Sequence, residues 1–205
     1  VSEVLLEIDN RSLNALLTLL DVDAIADIVE EMPSDDATDL LGELEPDHAE
    51  QIMAAMDEDE RAGVAELLQY GPETAGGLMG KEFAACTAVA MLRGLDQDDL
   101  EETHALYVVD QRGRLTGLLP LTVLLLADRA ATVADVMEHD PLYVSVELDQ
   151  EEVASFFMTH DLITLPVVDH QMRLVGRITA DDVMDVMEEE APEDFARLAG
   201  VSVAE

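Results

Sequence analysis

The chain has 205 residues, 49% of them apolar, which is enough to bury a core in one large domain or two to three small ones. Asp and Glu number 47 against 10 Lys and Arg, a net charge of −37. A surface this negative repels phosphates, which argues against nucleic acid and anionic lipid and favours cations or basic partners. Cys86 is the only cysteine, which excludes an intrachain disulfide and makes a reducing cytosol the expected compartment.

No stretch of the sequence is predicted to span a membrane. The most apolar stretch, residues 117–127, is about half the roughly 20 residues that a spanning helix needs. The first residues, VSEVLLEID, lack the basic start of a signal peptide. Since the first residue is Val, we expect the chain to be a piece of a longer protein.

The first third contains a 12-residue repeat in four copies. Ile25, Ala37, Ala49 and Arg61 share one column, and the columns three, four and seven positions later are apolar. This spacing predicts one apolar helix face per copy. Another column holds an aspartate in each first turn, where a carboxylate stabilises the helix dipole. A short helix cannot bury its face alone, so we expect a right-angled or superhelical array.

A second repeat follows the Gly- and Pro-rich stretch 71–80, which is typical of a linker. Residues 106–117 and 165–176 lie 59 positions apart and are identical at seven of twelve positions. Each copy predicts a β-hairpin. Helices are predicted at 95–102, 150–160 and 180–190, so that two copies packed face to face form one α/β module.

The sequence carries no motif of an enzyme. No nucleophile elbow of the GxSxG type is present, and the five histidines show no HxxxH spacing. The glycines of AGGLMG lack the GK[ST] ending of a phosphate loop. Cys86 lies in no motif and is predicted to be a buried structural thiol.

The C-terminal segment is the most acidic part of the chain, with eight carboxylates among residues 181–195. Asp182, Asp185 and Glu189 lie at helical spacing, so that like charges share one face and destabilise the helix. A hard divalent cation, which prefers oxygen ligands, reverses the sign of that effect.

A second acidic group surrounds the predicted helix 150–160. Asp149 and Glu151 lie on the turn that leads into this helix, and Asp161 follows it. Two interpretations stay open for all these acids: divalent-cation binding, or the acid excess and lysine depletion expected of a protein from a high-salt cytoplasm.

A nucleotide site is the third candidate. In the segment GRITADD, Thr179 and Asp182 fall where a strand ends and a helix begins. Their hydroxyl and carboxylate are suited to hold a ribose, with the helix N-terminus facing phosphates. The structural alternative is that Thr179 only caps the helix.

These segments resemble a known family. The 59-residue repeat, with VVD, then RLxG, then TxxD, resembles a tandem pair of CBS domains. The junction YGPETAGGLMGKEF and the segment LVGRITADDVMDVMEEEAPEDFARLAG are similar to those that flank the CBS pair of MgtE magnesium channels. The resemblance covers essentially the whole chain. It implies a superhelical α-helical repeat domain followed by an α/β tandem CBS pair, or Bateman module.

The resemblance implies a function as well. It implies a homodimeric channel whose cytosolic region binds Mg²⁺, which holds the assembly compact and the pore shut. The partners would be a second copy and the protein's own transmembrane domain, at the cytoplasmic face of the cell membrane. The implied metal ligands are Asp149, Glu151, Asp161, Asp182, Asp185, Glu190, Glu193 and Asp194.

The resemblance also implies ATP as a second ligand. Thr179 and Asp182 are the candidates for holding it. The first CBS copy has Pro120 and Val123 at the corresponding positions, so we expect at most one nucleotide site. Exposed apolar residues of the last CBS helix, Val183, Val186 and Met187, are predicted to form part of the dimer interface.

The predicted domains follow the same resemblance. They are a helical-repeat N domain (1–70), a linker (71–80), a first CBS domain (81–130), a second CBS domain (131–190) and the start of a connecting helix (191–205). The alternative function is that of a free-standing CBS protein that senses adenine nucleotides and regulates a partner enzyme.

Overall fold

The structure is a computed structural model that describes residues 20–83, 85–87, 105–127 and 131–187. These residues fall into two compact units. The first unit contains residues 20–72 and returns for residues 80–82. The second unit contains residues 73–79 and the described residues from 83 onwards.

The described part of the first unit contains four short helices whose first residues are spaced by 12, as the repeat predicts. They are α1 (Val22–Glu30), α2 (Ser34–Gly42), α3 (Pro46–Ala55) and α4 (Glu58–Leu67). Helix α1 packs against α3, and α2 packs against α4. The main contacts therefore join helices that are two apart in the sequence. This alternating contact is how short amphipathic helices bury faces that none could bury alone.

The core of the first unit follows the predicted apolar columns. Ile25, Val29, Leu40 and Ile52 are each at most 3% exposed. Arg61, the polar exception in its column, is half-buried. Each helix has an acidic residue in its first turn, as predicted from the dipole argument.

Residues 80–82 add a contact to this unit that the sequence pattern does not predict. The Glu82 carboxylate accepts hydrogen bonds from the backbone N–H of Ser34, at 3.0 Å, and from its hydroxyl, at 3.2 Å. The Ser34 hydroxyl oxygen accepts from the backbone N–H of Lys81 at 2.8 Å, and Lys81 Nζ lies 2.8 Å from Glu66. A distant glutamate therefore satisfies an N–H of the first turn of α2, which has no acceptor within its own helix.

The described part of the second unit contains two sheets. The four-stranded sheet has the order β1 (Ala85–Thr87), β2 (Ala105–Val109), β3 (Leu115–Pro120) and β4 (Glu138–His139). The three-stranded sheet has the order β5 (Val144–Ser145), β6 (Thr164–Val168) and β7 (Leu174–Thr179). In both sheets the first pair is parallel and the hairpin pair is antiparallel. Both hairpins fall where the 59-residue repeat predicts them.

The described part of the second unit also contains five helices. They are α5 (Ala75–Leu78), α6 (Leu121–Leu126), α7 (Val133–Val136), α8 (Gln150–His160) and α9 (residues 180–187). Helix α8 has the bounds predicted from sequence. The predicted helix 95–102 lies outside the described residues, as do the last three residues of the predicted helix 180–190.

The structure differs from two of the expectations drawn from the sequence. The stretch 71–80, predicted as a linker, contains α5, whose Ala75, Gly76 and Gly77 are buried. Val183 and Val186, predicted as exposed dimer-interface residues, are only 3% and 5% exposed and belong to the core. Met187, the third predicted residue, is exposed as expected, and Met184 on the same helix is exposed as well.

Across the described residues, no helix combines the length and the hydropathy needed to cross a bilayer.

Candidate functional site

The junction between β7 and α9 is the candidate nucleotide site, and the structure brings its two residues together. The Asp182 carboxylate accepts through Oδ2 from the backbone N–H of Thr179, at 2.7 Å, and from its hydroxyl, at 2.8 Å. The Thr179 hydroxyl also contacts the carboxylate of Asp181. In this arrangement the two residues cap the start of α9, and their hydrogen bonds are made to each other.

Burial sets the electrostatics of this junction. Desolvation raises the pKa of Asp182 above its ordinary value, and the neighbouring charge of Asp181 raises it further. Hydrogen bonds from Thr179 and the charge of Arg177 act in the opposite direction without cancelling the rise. A cationic or hydrogen-bond-donating ligand at this carboxylate would favour its ionised form.

The same Thr-x-x-Asp geometry occurs elsewhere in the unit as a plain helix cap. Asp135 accepts from the N–H and the hydroxyl of Thr132, at 2.9 and 2.7 Å, at the start of α7. Helix capping therefore accounts for the internal hydrogen bonds of Thr179 and Asp182.

The corresponding junction in the first copy of the 59-residue repeat lacks this pair. Pro120 precedes α6, and Val123 is half-buried against the apolar cluster that includes Leu106 and Leu119. Neither side chain offers a polar atom, so the first junction lacks the hydrogen-bonded pair, and the expectation of at most one nucleotide site stays a prediction.

The predicted metal ligands lie at three separate places. Asp149 is the N-cap of α8 and accepts from the backbone N–H of Glu151 at 3.0 Å. Asp161 follows the same helix in a left-handed conformation, with φ 52°. Asp182 and Asp185 lie on α9. Apart from the half-buried Asp182, these carboxylates are exposed.

These candidates do not form a closed metal cage in the described part of one chain. Among the described residues, no three His, Cys, Asp or Glu side chains are grouped closely enough to hold a metal ion. Glu190, Glu193 and Asp194 lie outside the described residues. Mg²⁺ retains several waters and is commonly held by one or two carboxylates. Exposed, separate carboxylates fit that mode if water or a second copy supplies the remaining ligands.

Sequence reasoning did not single out two Asp–Arg ion pairs, one in each hairpin turn. In each hairpin turn an aspartate accepts backbone N–H bonds and pairs with an arginine four residues later. Arg114 Nη2 lies 2.7 Å from Asp110 Oδ2, and Arg173 Nε lies 2.8 Å from Asp169 Oδ2. The available signal was the identity of these two residues in both copies of the repeat.

Hydrogen bonding sets the charge of both aspartates. The backbone N–H and the guanidinium of Arg114 hold the pKa of Asp110 at about 2. Burial raises the pKa of Asp169, but the N–H groups and guanidinium of Arg173 and the N–H of Gln171 more than offset this, so the pKa is lowered. Both carboxylates are ionised in the neutral range.

Comparison with known proteins places both units in one family. Residues 1–73 match the family described as the MgtE intracellular N domain, and residues 133–189 match the CBS domain family. The chain superposes on a crystal structure of the cytosolic domain of the Mg²⁺ channel MgtE in complex with ATP, with a TM-score of 0.84 and 36% identity. The alignment covers 90% of this chain and 78% of that chain. The chain belongs to the MgtE family.

Curated relatives agree with this assignment. The magnesium transporter MgtE of Thermus thermophilus is 44% identical over 154 residues, which is 72% of this chain and 34% of the relative. The MgtE of Enterococcus faecalis is 37% identical over 153 residues, again 34% of its length. The chain therefore spans about a third of the length of these relatives.

Family membership confirms three of the sequence predictions. The chain corresponds to the cytosolic region of MgtE, and the superhelical repeat domain with a CBS pair is the fold of that region. The family is one of transporters rather than enzymes, as the absence of catalytic motifs predicted.

Proposed function

We propose that this chain is the magnesium-sensing regulatory region of an MgtE-type magnesium channel. Two copies bind Mg²⁺ and compact, and this compaction holds the pore of the attached transmembrane domain shut. Loss of Mg²⁺ lets the domains separate. The region acts at the cytoplasmic face of the membrane. The single observation that carries the proposal is the superposition on the cytosolic domain of the Mg²⁺ channel MgtE.

The electrostatics of the chain support a cation as the effector. With a net charge of −37, folding and pairing of two copies bring like charges together. Divalent cations bound between carboxylates remove that repulsion and add hard oxygen ligands. The exposed carboxylates of α8 and α9 are placed at the surface of the second unit, where a second copy can complete their coordination.

The decisive measurement is the size of the particle as a function of Mg²⁺. We expect small-angle scattering to show a dimer whose radius of gyration falls on adding Mg²⁺ but not on adding NaCl of equal ionic strength. At ten times Kd, a ligand that binds only the folded form adds about 1.4 kcal/mol of stability per site. Equal effects of the two salts would contradict the proposal and favour generic screening.

Matched variants locate the sites. Glu151→Ala and Glu193→Ala should weaken the Mg²⁺-dependent compaction. Glu152→Ala is the control, because Glu152 is exposed beside Glu151 in the first turn of α8 and loses the same charge. If Glu152→Ala weakens compaction as much as Glu151→Ala, only the total charge matters and the residue assignments are wrong.

ATP is proposed as a second ligand, at the Thr179–Asp182 junction. Two observations favour it: the related structure contains ATP, and Asp182 is a half-buried carboxylate beside Arg177. We expect Thr179→Ala to weaken ATP binding, measured by calorimetry, and to leave Mg²⁺-dependent compaction intact. We expect Asp182→Ala to impair both. Unchanged ATP binding in both variants would leave the junction as a helix cap only.

The match of residues 1–73 to the MgtE N domain favours this function over that of a free-standing CBS sensor. A nucleotide sensor for a partner enzyme has no need of that helical domain.

A further inference from the structure

The two hairpin turns of the second unit lie side by side and are joined through their backbones. The N–H of Leu115 donates to the carbonyl of Met172 at 3.0 Å, and the N–H of Leu174 donates to the carbonyl of Gly113 at 3.0 Å. These residues occupy equivalent positions in the 59-residue repeat. The turns are therefore related by a local twofold and form one platform to which both CBS copies contribute.

A depression of about 300 Å³ opens on this platform. Its lining consists of Arg112, Arg114, Gln171 and Arg173, without a carboxylate. The whole chain contains only ten Lys and Arg, and three of them lie here. This local concentration of guanidinium groups favours an anionic ligand over a cation, although the chain as a whole is acidic.

Two of the arginines are held in place by ion pairs with aspartates that lie outside the lining of the depression. Arg114 Nε lies 2.8 Å from Asp110 Oδ2, and Arg173 Nε lies 2.8 Å from Asp169 Oδ2. The aspartates do not line the depression, whereas the two arginine side chains are 48% and 52% exposed. A guanidinium has five N–H donors, so each ion pair leaves several donors for a ligand. Anchoring also reduces the entropy lost when a ligand binds.

The third arginine supplies the excess charge. Within the part of the chain that the structure describes, the Arg112 guanidinium has no carboxylate partner, while its backbone N–H donates to Asp110 at 2.8 Å. Three guanidinium groups thus face two carboxylates across the paired turns. Guanidinium forks match the oxygens of phosphate in a bidentate geometry, and the Gln171 amide adds a further donor.

We propose that this depression binds a phosphate-bearing anion, which bridges the two CBS copies through Arg112, Arg114 and Arg173. Such a ligand strengthens the pairing of the two turns, since each copy contributes donors. The site is distinct from the Thr179–Asp182 junction and from the carboxylates proposed for Mg²⁺, and it does not depend on either assignment.

Calorimetric titration of the 205-residue chain with pyrophosphate tests the proposal. The buffer contains EDTA and little salt, so that no metal ion links the probe to carboxylates and screening stays weak. We expect saturable binding. Arg112→Gln should weaken it about tenfold or more, the usual effect of losing charge-assisted hydrogen bonds. Arg112→Lys keeps the charge without the fork and should give an intermediate affinity.

Two controls separate this site from other effects. Arg61→Gln removes the same charge from α4 and should leave the affinity unchanged. Thr179→Ala tests the alternative location, since a loss of affinity as large as that of Arg112→Gln would place the pyrophosphate at the β7–α9 junction and would also overturn the proposal. Absence of saturable binding, or equal weakening by Arg112→Gln and Arg61→Gln, would overturn the proposal.

A vesicle arm identifies the source of the phosphate. Vesicles of phosphatidylglycerol and phosphatidylcholine are sedimented with the protein and compared with phosphatidylcholine alone. Retention that depends on Arg112 would assign the site to lipid headgroups. Pyrophosphate binding without vesicle retention would assign it to a soluble phosphate compound, which we expect because the rest of the chain repels an anionic membrane.

Discussion

The two CBS copies have the same hairpin and different strand-to-helix junctions. Both hairpins carry a register shift just before their last pair, at Val108/Val109 and at Val167/Val168. Both turns pair an aspartate with an arginine four residues later. The residues identical between the copies are thus those that build the strands and the turn.

The junctions show no such identity. The second copy ends in Thr179 and Asp182, whose side chains are hydrogen-bonded, whereas the first has Pro120 and the half-buried Val123 at these positions. The lesson is that the two copies share the strands and the paired turns, while the hydrogen-bonded Thr and Asp of the strand-to-helix junction occur in one copy only. Exchanging residues between the copies tests that division.

The largest effect is expected from transferring the second junction to the first copy. In the double variant Pro120→Thr/Val123→Asp, a carboxylate replaces a valine that packs against the apolar cluster. Asp182 has a raised pKa even beside Arg177, and the first copy has Leu118 where the second has Arg177. We expect a loss of about 2–4 kcal/mol in the free energy of unfolding at neutral pH, measured by urea denaturation.

Pro120→Thr alone is the control for this exchange. It leaves Val123 in place and should change the stability by less than about 1 kcal/mol. A double variant as stable as the wild type would show that the junctions are interchangeable and that Val123 is not part of the core.

The next largest effect concerns β3, which pairs with the additional strand β4. A Cβ at Gly117 would lie 2.9 Å from the carbonyl oxygen of Glu138 and 2.7 Å from Met137 Sδ. The methionine can move, but the carbonyl belongs to the backbone of β4. Gly117→Ala should therefore cost about 1–3 kcal/mol and accelerate hydrogen exchange in β4.

Gly63→Ala in α4 is the matched control for Gly117→Ala. No atom lies within 4 Å of the added Cβ, and alanine is the better helix former. It should raise the stability by about 0.5–1 kcal/mol. The same sign for both glycines would contradict the steric explanation at Gly117.

Periodic features were predicted well from the sequence, and long-range contacts were not. The 12-residue period predicted the four helices that the structure describes in the first unit, because apolar spacing and helix geometry are both local. The bounds of α8 were also local, set by Asp149 as N-cap and by the left-handed Asp161. The contact of Glu82 with Ser34 joins residues 48 positions apart, and no spacing rule predicts it.

Two expectations differ from the structure because a sequence pattern does not show which residues the fold buries. Gly76 and Gly77 were interpreted as linker residues, but they are buried, because residues without side chains also permit close packing. Val183 and Val186 were placed at the surface, although periodicity identifies an apolar face without saying whether the core or a partner covers it. The proposed magnesium ligands stay predictions, since no three His, Cys, Asp or Glu side chains among the described residues form a group that could hold a metal ion.

A smaller effect is expected at the left-handed position of the turns, where the copies differ. Gly113 has φ 75° and the equivalent Met172 has φ 62°. Gly113→Ala should cost about 1 kcal/mol from backbone strain alone, since its Cβ would meet no atom within 4 Å. Met172→Gly should instead be neutral or stabilising by less than about 1 kcal/mol. Thermal unfolding checks both, and destabilisation by Met172→Gly would mean that its side-chain contacts outweigh the strain.

The smallest effect concerns the turn aspartates and depends on pH. The pKa of Asp110 is about 2 in the folded chain, below its ordinary value, so the folded state binds this proton less tightly than the unfolded state. Its stabilising contribution is therefore complete above the ordinary pKa and is lost as the pH falls towards about 2. Asp110→Asn should be less stable than the wild type at pH 6, and the difference should shrink by pH 3.

Asp169→Asn extends the comparison to the second copy. At Asp169 burial opposes the lowering of the pKa by hydrogen bonds more strongly than it does at Asp110. We expect the same direction of pH dependence with a smaller change between pH 6 and pH 3. Urea unfolding of both variants against the wild type subtracts the general effect of titrating so acidic a chain. A difference that grows on acidification would show that neither aspartate has a lowered pKa. A larger change for Asp169→Asn would show that the ion pair in the second turn is the stronger one.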